Sequence, residues 1–514
     1  MKGLPAETDF VVLGAGVAGL RAAIELATAG RVLVLAKNAT SSRADPAHLT
    51  AVLSDEEEIT LHLQDTLDAG DGLCNPAAVK ILIEQGSERV EELVAWGSHG
   101  AKLAFRSEIG HSRGRILQAQ GESTGTEILR VLRNKTGSLK HVSVAELAFT
   151  TSLNVHDGQV TGVSVLDGKG VPHEIACSAV LLATGAAGQI YSNTTNLEAA
   201  TADGIALAFH AGAEISDMEF VQFHPTVLSL KKAPRLLLSE ELRREGGHLR
   251  NIELDRFMGK YHPMGELAPP DLVARAIMHE MEVSRAKEPV VYLDLTHLSS
   301  TKVQKRFPRI HATFMRHNID ITEDLIPVHP AAHFAIGGVR TDLEGRSSVV
   351  GLYAAGETAA CGAHGANRLP SNSLLESLVY GFRAGRAMRE LRLVATVKSP
   401  PKAAYSNGPV DASVEEMIGQ VQSVMWRDVG IVRTRIGMQN AINAIEGLTP
   451  KLAQPKSRRA HEAANLHTVA LLVARSALAR EESRGAHYRV DYPGRDDKKF
   501  LKHSVLRGDK VTFQ

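Results

Sequence analysis

Gly14-Ala15-Gly16-Val17-Ala18-Gly19 stands between two apolar runs near the start of the chain, and no other feature narrows the fold as much. Phe10-Val11-Val12-Leu13 precedes the glycines, an alanine-rich helical stretch from Leu20 to Ala27 follows, and Val32-Leu33-Val34-Leu35 closes the unit. That order predicts strand, turn, helix, strand: a β-α-β unit of a parallel sheet. Glycine allows the turn, lets backbone approach a pyrophosphate and permits close helix packing, while the helix N-terminus supplies positive potential. G-x-G-x-x-G alone is a weak signal, but a strand before it and a helix after it make it a dinucleotide site.

An NAD site usually carries an acid about 20 residues beyond the glycines, to bind the ribose hydroxyls. Here the second strand ends in Ala36-Lys37, which disfavours NAD and favours FAD. Gly351-Leu352-Tyr353-Ala354-Ala355-Gly356-Glu357 is similar to a distal flavin motif, and a buried strand ending in a turn is the equally open plain reading. Ser373-Leu374-Leu375-Glu376 has the form of a capping box, followed by an apolar face of Leu378, Val379 and Phe382. Such a helix end, aimed at a flavin ring, would stabilise its reduced, negative form. An ordinary capped helix is the alternative.

The 514 residues allow roughly three domains at about 150 residues each. Strand patterns return at Val160 to Leu166 and Ala179 to Ala183, the latter followed by the turn Thr184-Gly185-Ala186-Ala187-Gly188. The reading is an α/β fold: a Rossmann-like FAD-binding domain over 1–216 and 333–397, an inserted α+β capping domain over 217–332, a linker at 398–410 and a C-terminal helical bundle over 411–514. Within the bundle Ser413-x-x-Glu416 predicts a helix start, and Leu466, Val469, Val473 and Ala477 share a face.

Acidic and basic residues number 58 each, so there is no net field to gather nucleic acid or an anionic membrane. The apolar run from Phe10 ends at Arg21, short of the ~20 residues of a membrane span. Cys74, Cys177 and Cys361 are widely spaced, against a disulfide framework and a structural zinc. A reducing, cytoplasmic setting is expected. His111, His224, His333 and His364 lack metal-ligand spacing, so no metal is expected.

Larger blocks carry a resemblance: G-H-S-R-G-R-I-L at 110–117, T-T-N at 194–196, D-G-I-A-L-A at 203–208, Q-F-H-P-T at 222–226, E-L-A-P at 266–269, V-A-R-A-I at 273–277, P-A-A-H at 330–333 and H-G-A-N-R-L-P-S-N-S-L-L-E-S-L-V-Y-G at 364–381. With G-A-G-V-A-G-L at 14–20 and A-R-S-A-L-A-R-E-E-S-R-G-A-H-Y-R at 474–489, the chain resembles the succinate dehydrogenase/fumarate reductase flavoprotein superfamily, and within it the L-aspartate oxidase family. The resemblance implies non-covalent FAD, oxidation of L-aspartate to iminoaspartate, re-oxidation by O2 or fumarate, and delivery of the imine to quinolinate synthase in de novo NAD synthesis. It implies FAD contacts at Gly14, Ala15, Gly16, Val17, Ala18, Gly19, Lys37, Ser41, Asp203, Glu357, Ser373 and Leu374. The substrate would meet Arg368, His224, His333 and Ser239, with Glu108 facing the α-ammonium. Arg368 can pair a carboxylate with two parallel hydrogen bonds.

The chain departs from the family pattern in two places. Ala47 and His48 replace a Gly-Gly pair, adding Cβ atoms beside Pro46 where backbone would lie against the flavin. Pro270 replaces the proton-transferring arginine after E-L-A-P; proline has no side-chain donor or titratable group. Arg275 belongs to the family pattern already and would point elsewhere, while Arg244 is a candidate to reach in. Three readings stay open: an L-aspartate oxidase with a rearranged base, a flavoprotein acting on another small acid, and a weakened or repurposed homologue that binds a dicarboxylate or a partner.

Overall fold

The computed structural model describes residues 3–39, 49–50, 56–97, 104–106, 112, 116–118, 124–230, 235–286, 289–391, 412–449 and 455–514. Its central sheet is parallel throughout. Strands β1 (Phe10–Leu13), β2 (Val32–Ala36), β3 (Val142–Glu146), β4 (Ala179–Leu182) and β11 (Leu352–Ala354) lie in the order β11-β4-β1-β2-β3. β1, β2 and β4 are buried at every position, which is why they read as unbroken apolar runs rather than alternating ones.

Helix α1 (Val17–Leu26) crosses from β1 to β2 and packs on the long helix α4 (Asn372–Arg389). Small residues set that approach. A Cβ on Gly381 would lie 2.6 Å from the Ala18 carbonyl oxygen, and one on Gly385 would lie 2.8 Å from that of Ala22. Two glycines one turn apart thus let α4 rest on the α1 backbone and hold the glycine turn in place.

The capping sheet is antiparallel: β6 (Val221–Leu228), β9 (Ile326–Ala335), β8 (Val291–Asp294) and β7 (His248–Arg250), in that order. Helix α3 (Pro270–Val283) packs along β6, and Leu228, Leu249, Val273, Ile277, Leu293 and Ile326 fill the core between them. Strand β9 runs through the expected 332/333 boundary because its partner β6 continues alongside it.

A third sheet joins the FAD-binding part to the C-terminus. β5 (Ile215–Ser216) lies between β10 (Gly338–Arg340) and β13 (Ser504–Arg507); β12 (Ala359–Ala360) and β14 (Lys510–Phe513) form the edges. The C-terminal region is therefore more than the expected bundle. Helices α5 (Ala412–Asp428), α6 (Arg435–Glu446) and α7 (Arg458–Ala479) pack together, and the hairpin β13-β14 leaves them to extend this sheet. Leu466, Val469, Val473 and Ala477 are buried on α7 as expected.

Both expected capping boxes are displaced. Helix α5 starts at Ala412, so Ser413 lies in its first turn rather than at its cap. Helix α4 starts at Asn372 behind Ser371, whose φ of 67° is left-handed, so Ser373 is already helical. Glu376 cannot turn back to cap, because its carboxylate accepts hydrogen bonds inside the core from Cys361 Sγ (3.1 Å) and His364 Nε2 (3.0 Å). Buried donors need an acceptor, and Glu376 is the one the fold supplies.

Candidate active site

The glycine turn forms a cradle at the carboxyl ends of β1 and β4. Gly14 has φ 112°, and a Cβ there would lie 2.1 Å from the Ala183 carbonyl oxygen. At Gly19 a Cβ would lie 2.0 Å from the Gly14 carbonyl oxygen. Gly16 differs: nothing stands within 4 Å of its Cβ position, and as N-cap of α1 it offers no side chain to the first-turn N–H groups. Open space over uncapped N–H groups fits a pyrophosphate. Ala18 and Val17 are buried under this turn, and Ala15 is half-buried beside it.

Of the other expected FAD contacts, Lys37 and Asp203 are tied to one another, Lys37 Nζ lying 2.7 Å from Asp203 Oδ2. Lys37 Nζ also donates to Thr201 Oγ1 at 2.5 Å, and Asn465 on α7 donates to Asp203 Oδ1 at 2.8 Å. Glu357 Oε1 accepts the Ala335 N–H at 2.9 Å, linking the distal motif to the end of β9. Ser373 and Leu374 are half-buried in the first turn of α4. Ser41, Ala47, His48, Glu108 and His111 lie outside the described residues, as does the linker 398–410.

Three expected substrate residues do converge. His224 on β6 and His333 on β9 have ring centroids 5.7 Å apart at 71°, and Arg368 lies close enough for its charge to act on both. The local cause is Pro225. Lacking an N–H, it cannot continue the ladder, and the β6-β9 register slips between His224 and Val227. The next N–H, that of Thr226, turns back to donate to His224 Nδ1 at 3.3 Å.

Arg368 is held on two sides. Its Nη2 donates to Gln222 Oε1 at 2.8 Å, while Gln222 Nε2 donates to the Arg368 carbonyl at 3.0 Å. The guanidinium lies over the Phe334 ring at 4.5 Å. Burial, with Arg368 adding its charge, pushes His333 down to about 3. Burial also drives His224 well below its usual value, helped by His333, Arg243 and Arg368. Both rings are therefore neutral in the working range and can serve an anion as N–H donors.

Ser239 does not sit in this trio by any bond; its Oγ accepts the Glu241 N–H at 3.2 Å and opens the short helix α2 (Glu241–Arg244). Pro270 is the first residue of α3, a position where a missing N–H costs nothing. Arg275 pairs with Asp271 at 2.8 Å and stacks over Tyr488, towards the C-terminal region. Arg244 is exposed, and the inward residue is its neighbour. Arg243 is buried and donates Nη1 to the Glu266 carbonyl at 2.9 Å; Nη2 lies 3.5 Å from Glu240 Oε1, and among the described residues neither Nε nor Nη2 has a hydrogen-bond partner. The sequence reading missed Arg243, Gln222 and Thr195, although the last two stand inside the quoted motifs Q-F-H-P-T and T-T-N.

Among the described residues one His/Asp group brings ligand-type atoms together: His248, Asp294 and His297. The two rings stack 4.0 Å apart at 7°, so their in-plane lone pairs run parallel rather than converge. Arg250 and Thr296 already occupy the Asp294 oxygens. The residues do not suit a metal ion. No helix among the described residues is long and apolar enough to cross a membrane.

Residues 9–374 match the FAD binding domain family, and residues 419–514 match the fumarate reductase flavoprotein C-terminal family. A chain of E. coli quinol fumarate reductase superposes with a TM-score of 0.87 at 30% identity, over 99% of this chain and 96% of that one. Fold and cradle together define an FAD-dependent oxidoreductase of the succinate dehydrogenase/fumarate reductase flavoprotein class. The chain is 39% identical to an L-aspartate oxidase of Streptomyces coelicolor over 97% of its own length and 91% of that protein's, and 36% identical to one of Synechocystis over 98% of each. It belongs to the L-aspartate oxidase family.

Proposed function

We propose that this chain oxidises L-aspartate to iminoaspartate, and the convergence of His224, His333 and Arg368 is the observation that carries the reading. FAD, when bound, supplies the two-electron acceptor. The guanidinium of Arg368, fixed by Gln222 and Phe334, presents a planar fork to one carboxylate. Two neutral imidazoles are suited to donate to carboxylate oxygens without adding charge. Glu108 would receive the α-ammonium and disfavour succinate, which lacks it. Pro270 holds no side-chain proton, and Arg243 is a second guanidinium, besides Arg368, close enough for its charge to act on His224.

O2 or fumarate would re-oxidise the flavin, and the imine would pass to quinolinate synthase in de novo NAD synthesis. Three free cysteines, Cys177 and Cys361 buried, suit a reducing cytoplasm.

The test is the absorbance of the FAD-loaded protein under anaerobic L-aspartate. Bleaching of the flavin band is expected, with no bleaching by succinate; a bound flavin that stays oxidised with L-aspartate overturns the reading. In calorimetry Arg368→Ala abolishes L-aspartate binding, and an unchanged dissociation constant removes Arg368 from the site.

A further inference from the structure

Residues 193–196 are fastened along β9 at Ala332 and His333. The Ala332 N–H donates to Asn193 O at 2.9 Å, the Thr195 N–H to Ala332 O at 3.0 Å, and Asn196 Nδ2 to His333 O at 2.9 Å. This places Thr195 Oγ1 2.9 Å from His333 Nδ1.

The direction of that hydrogen bond follows from counting lone pairs. Among the described residues Thr195 Oγ1 has one other acceptor within reach, Ala332 O at 3.4 Å. A carbonyl oxygen has two lone pairs. Those of Ala332 are taken by shorter bonds, from the Thr195 N–H and from Thr194 Oγ1, both at 3.0 Å. The Thr195 hydroxyl proton therefore points at His333 Nδ1, which accepts it. An imidazole that accepts at Nδ1 carries its single ring proton on Nε2.

His224 reaches the same state by another route, because its Nδ1 accepts from a backbone N–H, that of Thr226, which can only donate. One ring is set by backbone and the other by a hydroxyl. Neither can then accept a proton at Nε2 in the neutral state, so the group that takes a proton from substrate is not one of these histidines.

We propose that Thr195 is a positioning residue that holds His333 as an Nε2–H donor, so that His224, His333 and Arg368 recognise a dicarboxylate entirely by donating hydrogen bonds to it. The proposal rests on the substrate-site reading given above. Thr195 itself does not touch the substrate.

The experiment uses the FAD-loaded enzyme and measures succinate dissociation constants with L-aspartate KM and kcat. Thr195→Val keeps the shape and removes the hydroxyl, leaving His333 free to adopt the other tautomer. It is expected to weaken succinate binding and raise KM about tenfold, with a smaller change in kcat and unchanged FAD affinity. Thr195→Ser restores both constants to within about threefold. In a His333→Ala background Thr195→Val has no further effect, because the two act through one ring. Without any variant at Thr195, 15N spectra of the histidine-labelled enzyme, assigned by difference with His333→Ala, show His333 Nδ1 unprotonated and Nε2 protonated.

If His333→Ala weakens succinate binding and Thr195→Val does not, the tautomer proposal fails and the site stands. If His333→Ala has no effect, the site reading itself fails. A serine variant as weak as the valine one, or a proton found on Nδ1, overturns the proposal.

Discussion

Arg480 Nε lies 2.7 Å from Glu219 Oε1, and neither side chain is exposed to solvent. Arg480 caps the end of α7, while Glu219 precedes β6, so the pair fastens the C-terminal region to the capping sheet. The remaining polar atoms are matched: Arg480 donates to Glu482, to Phe500 O and to Lys502 O, and Ser504 Oγ donates to Glu219 Oε2 at 2.6 Å. Removing Arg480 strands the buried Glu219 carboxylate, at a cost of ~3–5 kcal/mol, while removing Glu219 leaves Arg480 paired with Glu482 but empties the Nε side of its guanidinium. Glu219→Ala and Arg480→Ala are each expected to lower the urea midpoint strongly, and the double variant by less than their sum. A strictly additive double variant would show that the two charges do not stabilise one another.

The second and third glycines of the α1 turn, Gly16 and Gly19, separate folding from cofactor binding. Gly16 has φ −81° and ψ −173°, ordinary for alanine, and open space at its Cβ. Gly19 has a carbonyl oxygen 2.0 Å from that position. Gly16→Ala is expected to melt like the parent without FAD yet bind FAD weakly. Gly19→Ala loses FAD affinity and also ~1–3 kcal/mol of stability through overpacking. Fluorescence titration with FAD and apoprotein melting separate the two; a Gly16→Ala protein with parental FAD affinity would move the pyrophosphate away from this turn.

Local signals were readable in the chain, and distant pairings were not. Strands β1 and β2 and helix α1 follow from apolar runs and glycines a few residues apart, and α3 begins where proline suits a first helical turn. The hairpin β13-β14 carries a local signal that the reading as a helical bundle passed over, the two-residue turn Gly508-Asp509, whereas its place in the third sheet does not, since Ser504 meets Ser216 288 positions earlier. Glu376 looked like a cap because its buried donors, Cys361 and His364, lie on a preceding loop. The sequence points to Arg244, and the short helix turns its neighbour Arg243 inward instead. His224, His333 and Arg368 were identifiable through motif resemblance, whereas the roles of Gln222 and Thr195 depend on atoms brought near by the β6-β9 pairing and the 193–196 segment.

The depressed histidines give a pH dependence of definite sign. His333 is held at about 3 by burial and Arg368, against about 6.5 in an unfolded chain. Between these values the unfolded state binds a proton that the native state does not, so stability rises with pH across that window. It is complete above about 6.5 and falls as pH drops towards 3, His224 adding in the same direction. Thermal melts at a series of pH values are expected to show this slope, reduced in His333→Gln. The KM for L-aspartate is expected to show no histidine step near pH 6.5, and a step there that His333→Gln abolishes would contradict the neutral-donor role.

Pro270→Arg tests the missing proton-transfer group directly. Helix α3 packs along β6, the strand that carries His224, and Arg243 reaches the Glu266 carbonyl just before the helix begins. A side chain at 270 is half-buried at the first turn of this helix. Arginine there costs little: the first-turn N–H needs no partner, the helix dipole opposes the charge by ~0.3–1 kcal/mol, and losing proline costs ~0.4–1 kcal/mol through the unfolded chain. A positioned proton-transfer group is worth ~10²–10⁴-fold in rate. Pro270→Arg is expected to raise kcat for L-aspartate by at least about tenfold, with a small drop in Tm. An unchanged kcat would mean that the parent chain already moves the proton through another group. Arg243→Lys then becomes the informative variant, since it keeps the charge and replaces the planar fork, whose Nε and Nη2 have no hydrogen-bond partner among the described residues, with a single ammonium.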